Sequence, residues 1–114
     1  MVEHTDEHIL SMVFKAVSDS TRRSLLRQLC QYGASPVTSL AEHYDMSLNG
    51  ISKHIKVLEK AGLVQRRTIG RTHLIEANLD RIKLADQWFD ELTSIWMLRL
   101  DKLDEVLKGG TGDD

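Results

Sequence analysis

The amino-acid sequence predicts a mainly α-helical chain that contains one small β-hairpin. Two observations support this fold class. Apolar residues recur every three or four positions over most of the 114 residues, as they do on one face of an α-helix. Beyond residue 62 this period is interrupted by two short segments on either side of Ile69-Gly70-Arg71, a pattern typical of a hairpin turn.

The first three predicted helices are short and amphipathic. The first is expected over residues 6–18, where apolar residues follow helical spacing. Asp19 can accept a backbone hydrogen bond as the N-cap of the second helix, which should end near Gly33. The dipeptide Ser35-Pro36 suits the cap and first position of a third helix that runs to about Tyr44.

The fourth helix should begin at a Ser47 cap, run to about Lys60 and end at Gly62, a residue suited to the left-handed conformation. A hairpin over residues 63–77 and one long amphipathic helix over residues 81–108 follow. This order predicts a winged helix-turn-helix with five helices, a two-stranded wing and a long C-terminal dimerisation helix. We expect a single domain over residues 1–108 and a flexible tail over residues 109–114.

The fourth helix has two chemically different faces. With about 100° between successive residues, one face collects apolar side chains that we expect to pack against the core: Leu48, Ile51, Ile55, Leu58. The opposite face collects amide, hydroxyl and ammonium groups without a carboxylate: Asn49, Ser52, Lys53, Lys56, Lys60. Such groups can donate to phosphates and base edges. An ordinary solvated face would usually mix both charge signs, so the pattern favours contact with DNA.

Two residues of the fourth helix need separate interpretation. Gly50 costs roughly 1 kcal/mol relative to Ala inside a helix. We interpret it as allowing close approach of the third helix, with Asn49 beside it as a probe for adenine; the alternative is that a first turn tolerates Gly cheaply. His54 borders the apolar face and is expected to be a structural histidine rather than a base contact.

Positive charge is concentrated in one window although the whole chain has a formal net charge of −2. Residues 47–73 hold six basic side chains and one acidic side chain, a net charge of +5. The predicted DNA-binding residues all lie in this window: Ser47, Asn49, Ser52, Lys53, Lys56, Arg66, Arg67, Arg71. The three arginines would form a wing that reaches phosphates or the minor groove, and a plain charged hairpin is the alternative.

The last helix predicts a homodimer. At ~1.5 Å per residue it would be about 42 Å long, whereas a compact domain of this size has a radius of gyration of only roughly 13 Å. One domain therefore cannot cover both sides of the helix. The predicted interface residues are apolar: Met12, Trp88, Leu92, Ile95, Trp96, Leu100, Leu103. Such a dimer would bind double-stranded DNA at a pseudo-palindromic operator.

Three sequence segments resemble the ArsR-type family of winged-helix repressors: VFKAVSDSTRRSLLRQL, VTSLAEHYDMSLNGISKHIKVLEKAGLV and QRRTIGRTHLI. The resemblance covers about residues 13–77. It implies a transcriptional repressor that occludes a promoter, a dimer formed by the first and last helices, and a fourth helix in the major groove. It also implies base contacts at Asn49, Ser52 and Lys53. Ser20 stands where the family often has Pro, and Gly50 stands where Ala is common.

The residues of the family's metal sites are missing from this chain. Metal-sensing members carry cysteines near the start of the third helix, where this chain has Ser35-Pro36-Val37, or histidines and carboxylates on the last helix, which here has no histidine. We therefore predict no metal and no cofactor, in a branch without the usual sensing cysteines. The alternative is a metal- or redox-responsive repressor that uses His4, His8 or Cys30, although Cys30 is expected to be buried.

Several other function classes have little support in the sequence. No nucleophile motif, phosphate-binding loop or ligand cluster indicates an enzyme. No run of about 18 apolar residues indicates a membrane span, and a single cysteine fits a cytoplasmic protein. A winged helix used only for protein–protein interaction is the remaining alternative. The sequence identifies neither the operator nor an inducer.

Overall fold

The computed structural model describes the backbone of residues 2–112 and the side chains of residues 6–109. Over this range the chain forms five helices and three strands, and the predicted winged helix-turn-helix is confirmed. The elements are α1 (Val2–Val17), α2 (Ser20–Tyr32), β1 (Ser35–Pro36), α3 (Val37–Ala41), α4 (Leu48–Lys60), β2 (Val64–Ile69), β3 (Thr72–Ala77) and α5 (Ile82–Gly112).

The ends of α4 are fixed by local hydrogen bonds that the sequence predicts. Ser47 has extended backbone angles, and its Oγ accepts the backbone N–H of Gly50 at 3.0 Å, as an N-cap does. At the other end Gly62 adopts a φ of 75°, and the N–H of Leu63 donates to the carbonyl of Leu58 at 3.0 Å. This is a Schellman ending, and it directs the chain into β2.

The sheet has three antiparallel strands in the order β1-β3-β2, so the prediction of a two-stranded wing is incomplete. The additional strand is Ser35–Pro36, which pairs with Ile75 and Leu74 of β3. Proline can occupy this position because β1 is an edge strand, where one missing N–H does not interrupt the ladder. The third helix consequently starts one residue later than predicted and ends at Ala41 rather than Tyr44.

The core lies between helices α1 to α4 and the inner face of the sheet. Its fully buried side chains come from α1, α2, α3, α4, β3 and the α4–β2 connection: Val13, Leu25, Leu40, Ile51, Ile55, Leu58, Leu63, Ile75. The apolar face of α4 is thus held by the core along its middle and C-terminal turns. The opposite face of the helix is therefore directed outward.

Two side chains expected in the core are exposed. Leu48 is 49% exposed, because it lies on the first turn of α4, beyond the elements that cover the rest of the apolar face. Cys30 is also exposed. On α2 it lies about 90° from the middle of the stripe formed by the buried leucines, so its thiol points away from the core.

The last helix is longer than expected and leaves the body of the domain. It extends to Gly112, and the chain measures 77 × 35 × 20 Å along its principal axes. Near its start Trp88 and Phe89 make edge-to-face contacts with Phe14 of α1, with ring centroids 5.5 and 5.7 Å from that ring. Beyond this cluster its described side chains are all exposed. Among the described residues, no helix has the length and hydrophobicity that a membrane span requires.

Candidate nucleic-acid interface

The outward face of α4 presents polar and basic groups to solvent. Asn49, Lys53 and Lys56 are exposed and Ser52 is half-buried, whereas Ile51 and Ile55 on the other side of the helix are fully buried. Among the described side chains, no carboxylate forms an ion pair with Lys53 or Lys56. Both ammonium groups are therefore available to an external anion.

The first turn of α4 adds further donors to this face. Ser47 uses an oxygen lone pair to cap the helix, which leaves its hydroxyl hydrogen free to donate to an acceptor such as a phosphate oxygen. The interpretation of Gly50 as a close-approach site is wrong. A Cβ at this position would meet Ser47 Oγ at 3.4 Å and Met46 Cε at 3.8 Å, which are ordinary contacts, and the three nearest atoms belong to Met46 and Ser47 rather than to α3.

The three arginines of the wing lie on different surfaces. Gly70, with a φ of 62°, forms the turn, and Arg71 follows it at the exposed tip. Arg66 Nη2 lies 2.9 Å from Glu59 Oε1 of α4, while Arg67 Nη2 lies 3.6 Å from Glu76 Oε2 of β3. Since adjacent strand residues point to opposite faces, Arg66 and Arg67 cannot serve the same side of the wing.

A cleft of about 350 Å³ separates the start of α4 from the wing. It brings together three predicted residues: Ser52, Arg66 and Arg71. It also includes residues that the sequence analysis did not assign to this surface: Pro36, Val37, Thr38, Leu48, Thr72, His73. Thr72 could have been assigned to this surface from the sequence, because it begins β3 directly after the turn. From the sequence, Leu48 is expected in the core, because it lies on the same side of the helical wheel as the buried apolar residues.

Behind α4, a polar network fixes the helix to α1 and α2. Arg22 Nη1 lies 3.2 Å from His54 Nδ1, and because a guanidinium only donates, the ring nitrogen accepts. Arg22 Nε donates to the carbonyl of Ala16 at 2.8 Å, and its backbone N–H donates to Asp19 Oδ2 at 3.0 Å. His54 is half-buried in this network, as expected for a structural histidine.

The Asp19 carboxylate of this network has a shifted pKa. The hydrogen bond from the Arg22 backbone N–H lowers the pKa of Asp19 below its ordinary value, and partial burial opposes the effect without cancelling it. The charged form is therefore favoured in the folded protein. This carboxylate both caps α2 and lies 3.9 Å from His54 Nδ1.

Six of the seven residues predicted for a dimer interface share one exposed surface on α5, and the seventh, Met12, lies elsewhere. The aromatic and aliphatic side chains of the stripe are exposed: Trp88, Leu92, Ile95, Trp96, Leu100, Leu103. Met12 of α1 is half-buried and lies in a cleft between α1 and α4 that Val57 and Lys60 also line. The stripe is continuous with α1 through the contact between Trp88 and Phe14.

The side chains considered for metal or redox sensing are dispersed. Among the described side chains, no three His, Cys, Asp or Glu groups converge on a position that could hold a metal ion. His8 is exposed on α1 and Cys30 is exposed on α2. The side chain of His4 lies outside the described residues.

Comparison with known proteins identifies relatives that match a large part of this chain. A family model for a helix-turn-helix domain matches residues 17–67. The chain is 30% identical over 79 residues to the transcriptional repressor SdpR of Bacillus subtilis (strain 168), covering 69% of this chain and 87% of that protein. It is also 30% identical over 69 residues to the arsenical resistance operon repressor of the same organism, covering 60% of this chain and 66% of that protein.

Solved structures show the same fold. The crystal structure of an ArsR family transcriptional regulator superposes with a TM-score of 0.74 at 30% identity, covering 80% of this chain and 93% of the other. A homodimeric winged helix-turn-helix DNA-binding domain from Mycobacterium bovis superposes with a TM-score of 0.64 at 22% identity, covering 84% and 87%. The protein described here therefore belongs to the ArsR family of winged helix-turn-helix transcriptional regulators, a family of DNA-binding proteins rather than enzymes.

Proposed function

We propose that this regulator is a homodimeric repressor that binds a pseudo-palindromic operator in double-stranded DNA and occludes a promoter. The observation that carries the proposal is the outer face of α4, where Asn49, Lys53 and Lys56 are exposed and the basic groups have no ion-pair partner among the described side chains. Two relatives from Bacillus subtilis, SdpR and the arsenical resistance operon repressor, are repressors by name. A repressor of this kind would act in the cytoplasm, on chromosomal DNA.

The proposed docking places the first two turns of α4 in the major groove. The N-terminal residues of a recognition helix are those that reach base edges, so Asn49, Ser52 and Lys53 are the proposed base contacts. Ser47 and Lys56 would donate to phosphates at the two ends of the contact. Arg71 at the wing tip would reach the neighbouring backbone or minor groove.

The two remaining arginines have more limited parts in this docking. Arg66 lies in the cleft beside α4, but reaching a phosphate would require it to exchange its contact with Glu59. Arg67 lies on the other face of β2 and would contact DNA only if the wing inserts deeply. Their order of importance is therefore Arg71, then Arg66, then Arg67.

The dimer is supported by the unpaired apolar stripe of α5. Trp96, Leu100 and Leu103 are exposed on a helix that leaves the domain body, and large apolar groups are costly to leave in water. The Mycobacterium bovis domain of the same fold is homodimeric. Two copies joined through α1 and α5 would present two α4 helices to one side of a duplex, which matches a two-fold symmetric operator.

We further propose that release from DNA does not use the family's metal sites. Ser35-Pro36-Val37 offers no thiolate at the start of α3, and the sequence of α5 contains no histidine. A zinc site needs three or four Cys, His or carboxylate ligands that converge on one position, and among the described side chains no three such groups converge. Adding zinc to the protein–operator complex should therefore leave its dissociation constant unchanged.

The test is selection of binding sites from random duplexes, followed by footprinting on DNA upstream of the protein's own gene. We expect a two-fold symmetric site, with affinity that falls on adding salt along a log–log slope of about −0.9 per neutralised phosphate. Lys53→Ala should weaken binding about tenfold or more and relax sequence preference. Lys83→Ala, which removes another exposed lysine, from α5, is the matched control.

Two outcomes would reject the proposal. Absence of salt-dependent DNA binding would favour a winged helix that serves protein–protein interaction only. Equal effects of Lys53→Ala and Lys83→Ala would show that binding is a general charge effect, without specific use of the α4 face.

A further inference from the structure

Leu48 is an exposed apolar side chain beside the donor groups on the outer face of α4. Of the apolar residues on α4, all of which the structure describes, Ile51, Ile55 and Leu58 are fully buried and Val57 is half-buried. Leu48 alone among them is exposed, by 49%. Its exposure is a consequence of its position, because no other element covers the first residue of the helix.

Several neighbours of Leu48 belong to the proposed DNA-binding surface. It follows the Ser47 cap directly and precedes Asn49, the proposed base contact. Ser52 lies one turn further along the same side of the helix and lines the same cleft, together with Arg66 and Arg71 of the wing. An element that enters the major groove with Asn49 and Ser52 leading would carry Leu48 in with them.

The major groove contains one apolar group that such a side chain can contact, the C5-methyl group of thymine. Contact between this methyl group and an aliphatic side chain removes apolar surface of both from water, and it needs no hydrogen bond. Neither cytosine nor the purines offer a methyl group in that position. We infer that Leu48 is a specificity-determining residue that selects thymine at one position of each operator half-site, an inference that rests on the proposed function.

Leu48 and Asn49, although adjacent, would recognise different features of the DNA. Asn49 would read a base edge through its amide, and Leu48 would read the neighbouring base pair through its methyl group. Met46, also partly exposed in the turn before α4, packs towards Gly50 rather than lining the cleft. Leu48 is therefore the apolar group of this turn that faces the cleft.

The experiment replaces each thymine of the selected operator by deoxyuridine, which removes the methyl group and leaves base pairing intact. With the wild-type dimer, one position per half-site should lose about fourfold in affinity, equivalent to one buried methyl group of about 0.8 kcal/mol. With Leu48→Ala the same replacement should have no effect. Leu79→Ala, which shortens a leucine of similar exposure (45%) between β3 and α5, should keep the wild-type sensitivity.

Each result has one meaning. A sensitive position in the wild type that disappears in Leu48→Ala supports the inference. Selected operators without a thymine preference, a deoxyuridine scan without a sensitive position, or a sensitivity that persists in Leu48→Ala would each overturn it while leaving the proposed function intact. Loss of all sequence-selective binding in the wild type would overturn the proposed function and the inference together. Circular dichroism should show that Leu48→Ala is folded, since the side chain it shortens is not part of the core.

Discussion

Replacement of Trp96 by Ala should dissociate the proposed dimer. Trp96 is 58% exposed, so a side chain of about 250 Å² presents roughly 145 Å² to water. If a partner covers half of this area, each copy contributes about 1.8 kcal/mol at ~25 cal/mol per Å², and the two copies of a dimer contribute about 3.6 kcal/mol. The dimer dissociation constant of Trp96→Ala should therefore rise by a few hundredfold.

The measurement is sedimentation equilibrium over a range of protein concentrations, paired with operator titrations at the same concentrations. Leu98→Ala is the matched control, because Leu98 is 66% exposed but lies about 200° around the helix from Trp96, away from the stripe. We expect Leu98→Ala to remain dimeric. The reasoning would be refuted if both variants dissociated equally, or if the dimer dissociation constant of Trp96→Ala equalled that of the wild type.

Three further predictions concern single residues of the domain. Arg71→Ala should weaken binding to all DNA sequences alike and reduce the log–log salt slope by about 1, and a changed sequence preference in site selection would instead assign Arg71 to a base. Gly50→Ala should stabilise the fold by about 0.5–1 kcal/mol in urea unfolding, since a Cβ meets only ordinary contacts, and a loss of stability would contradict the observed packing. Because the folded-state pKa of Asp19 is lowered, its carboxylate stabilises the fold above the unfolded-state pKa, and this stabilisation is lost as pH falls through the folded-state pKa. Asp19→Asn, which keeps a capping oxygen, should lack this part of the acid sensitivity of the thermal midpoint, and identical pH profiles would exclude the effect.

The helices of this fold can be predicted from the sequence because they are amphipathic, and the limits of α2 and α4 can be predicted because capping residues mark their ends. Ser47 and Gly62 fix α4 through hydrogen bonds between residues three to five positions apart, and such local bonds depend on local sequence. The strand β1 could not be predicted from the sequence, because its formation depends on a distant part of the chain. Two residues, Ser35 and Pro36, have no period, and they become a strand only because β3 lies beside them in the folded chain.

The exposure of individual side chains in the candidate interface also could not be predicted from the sequence alone. Helical periodicity groups Leu48 with Ile51 and Ile55, but it gives only a direction around the helix axis. Whether a residue is covered depends on how far neighbouring elements extend along that axis, and this is a property of the tertiary structure. Likewise, the sequence shows that Arg66 and Arg67 are basic but not which carboxylates pair with them. Their ion-pair partners, Glu59 and Glu76, lie on other elements of the fold.

The Asp19–Arg22 segment is a local capping motif that also positions α4, the helix proposed to contact DNA. From sequence it is a helix cap, and Asp19 does cap α2. In the fold, the Arg22 guanidinium also donates to the carbonyls of Lys15 and Ala16 at the end of α1 and contacts His54 of α4. One side chain thus bonds to two carbonyls in the last turn of α1 and contacts the inner side of α4, so it links the helix proposed to dimerise to the helix proposed to contact DNA. Since Arg22 bonds to both helices at once, a change in the position of α1 must either move α4 with it or break these hydrogen bonds.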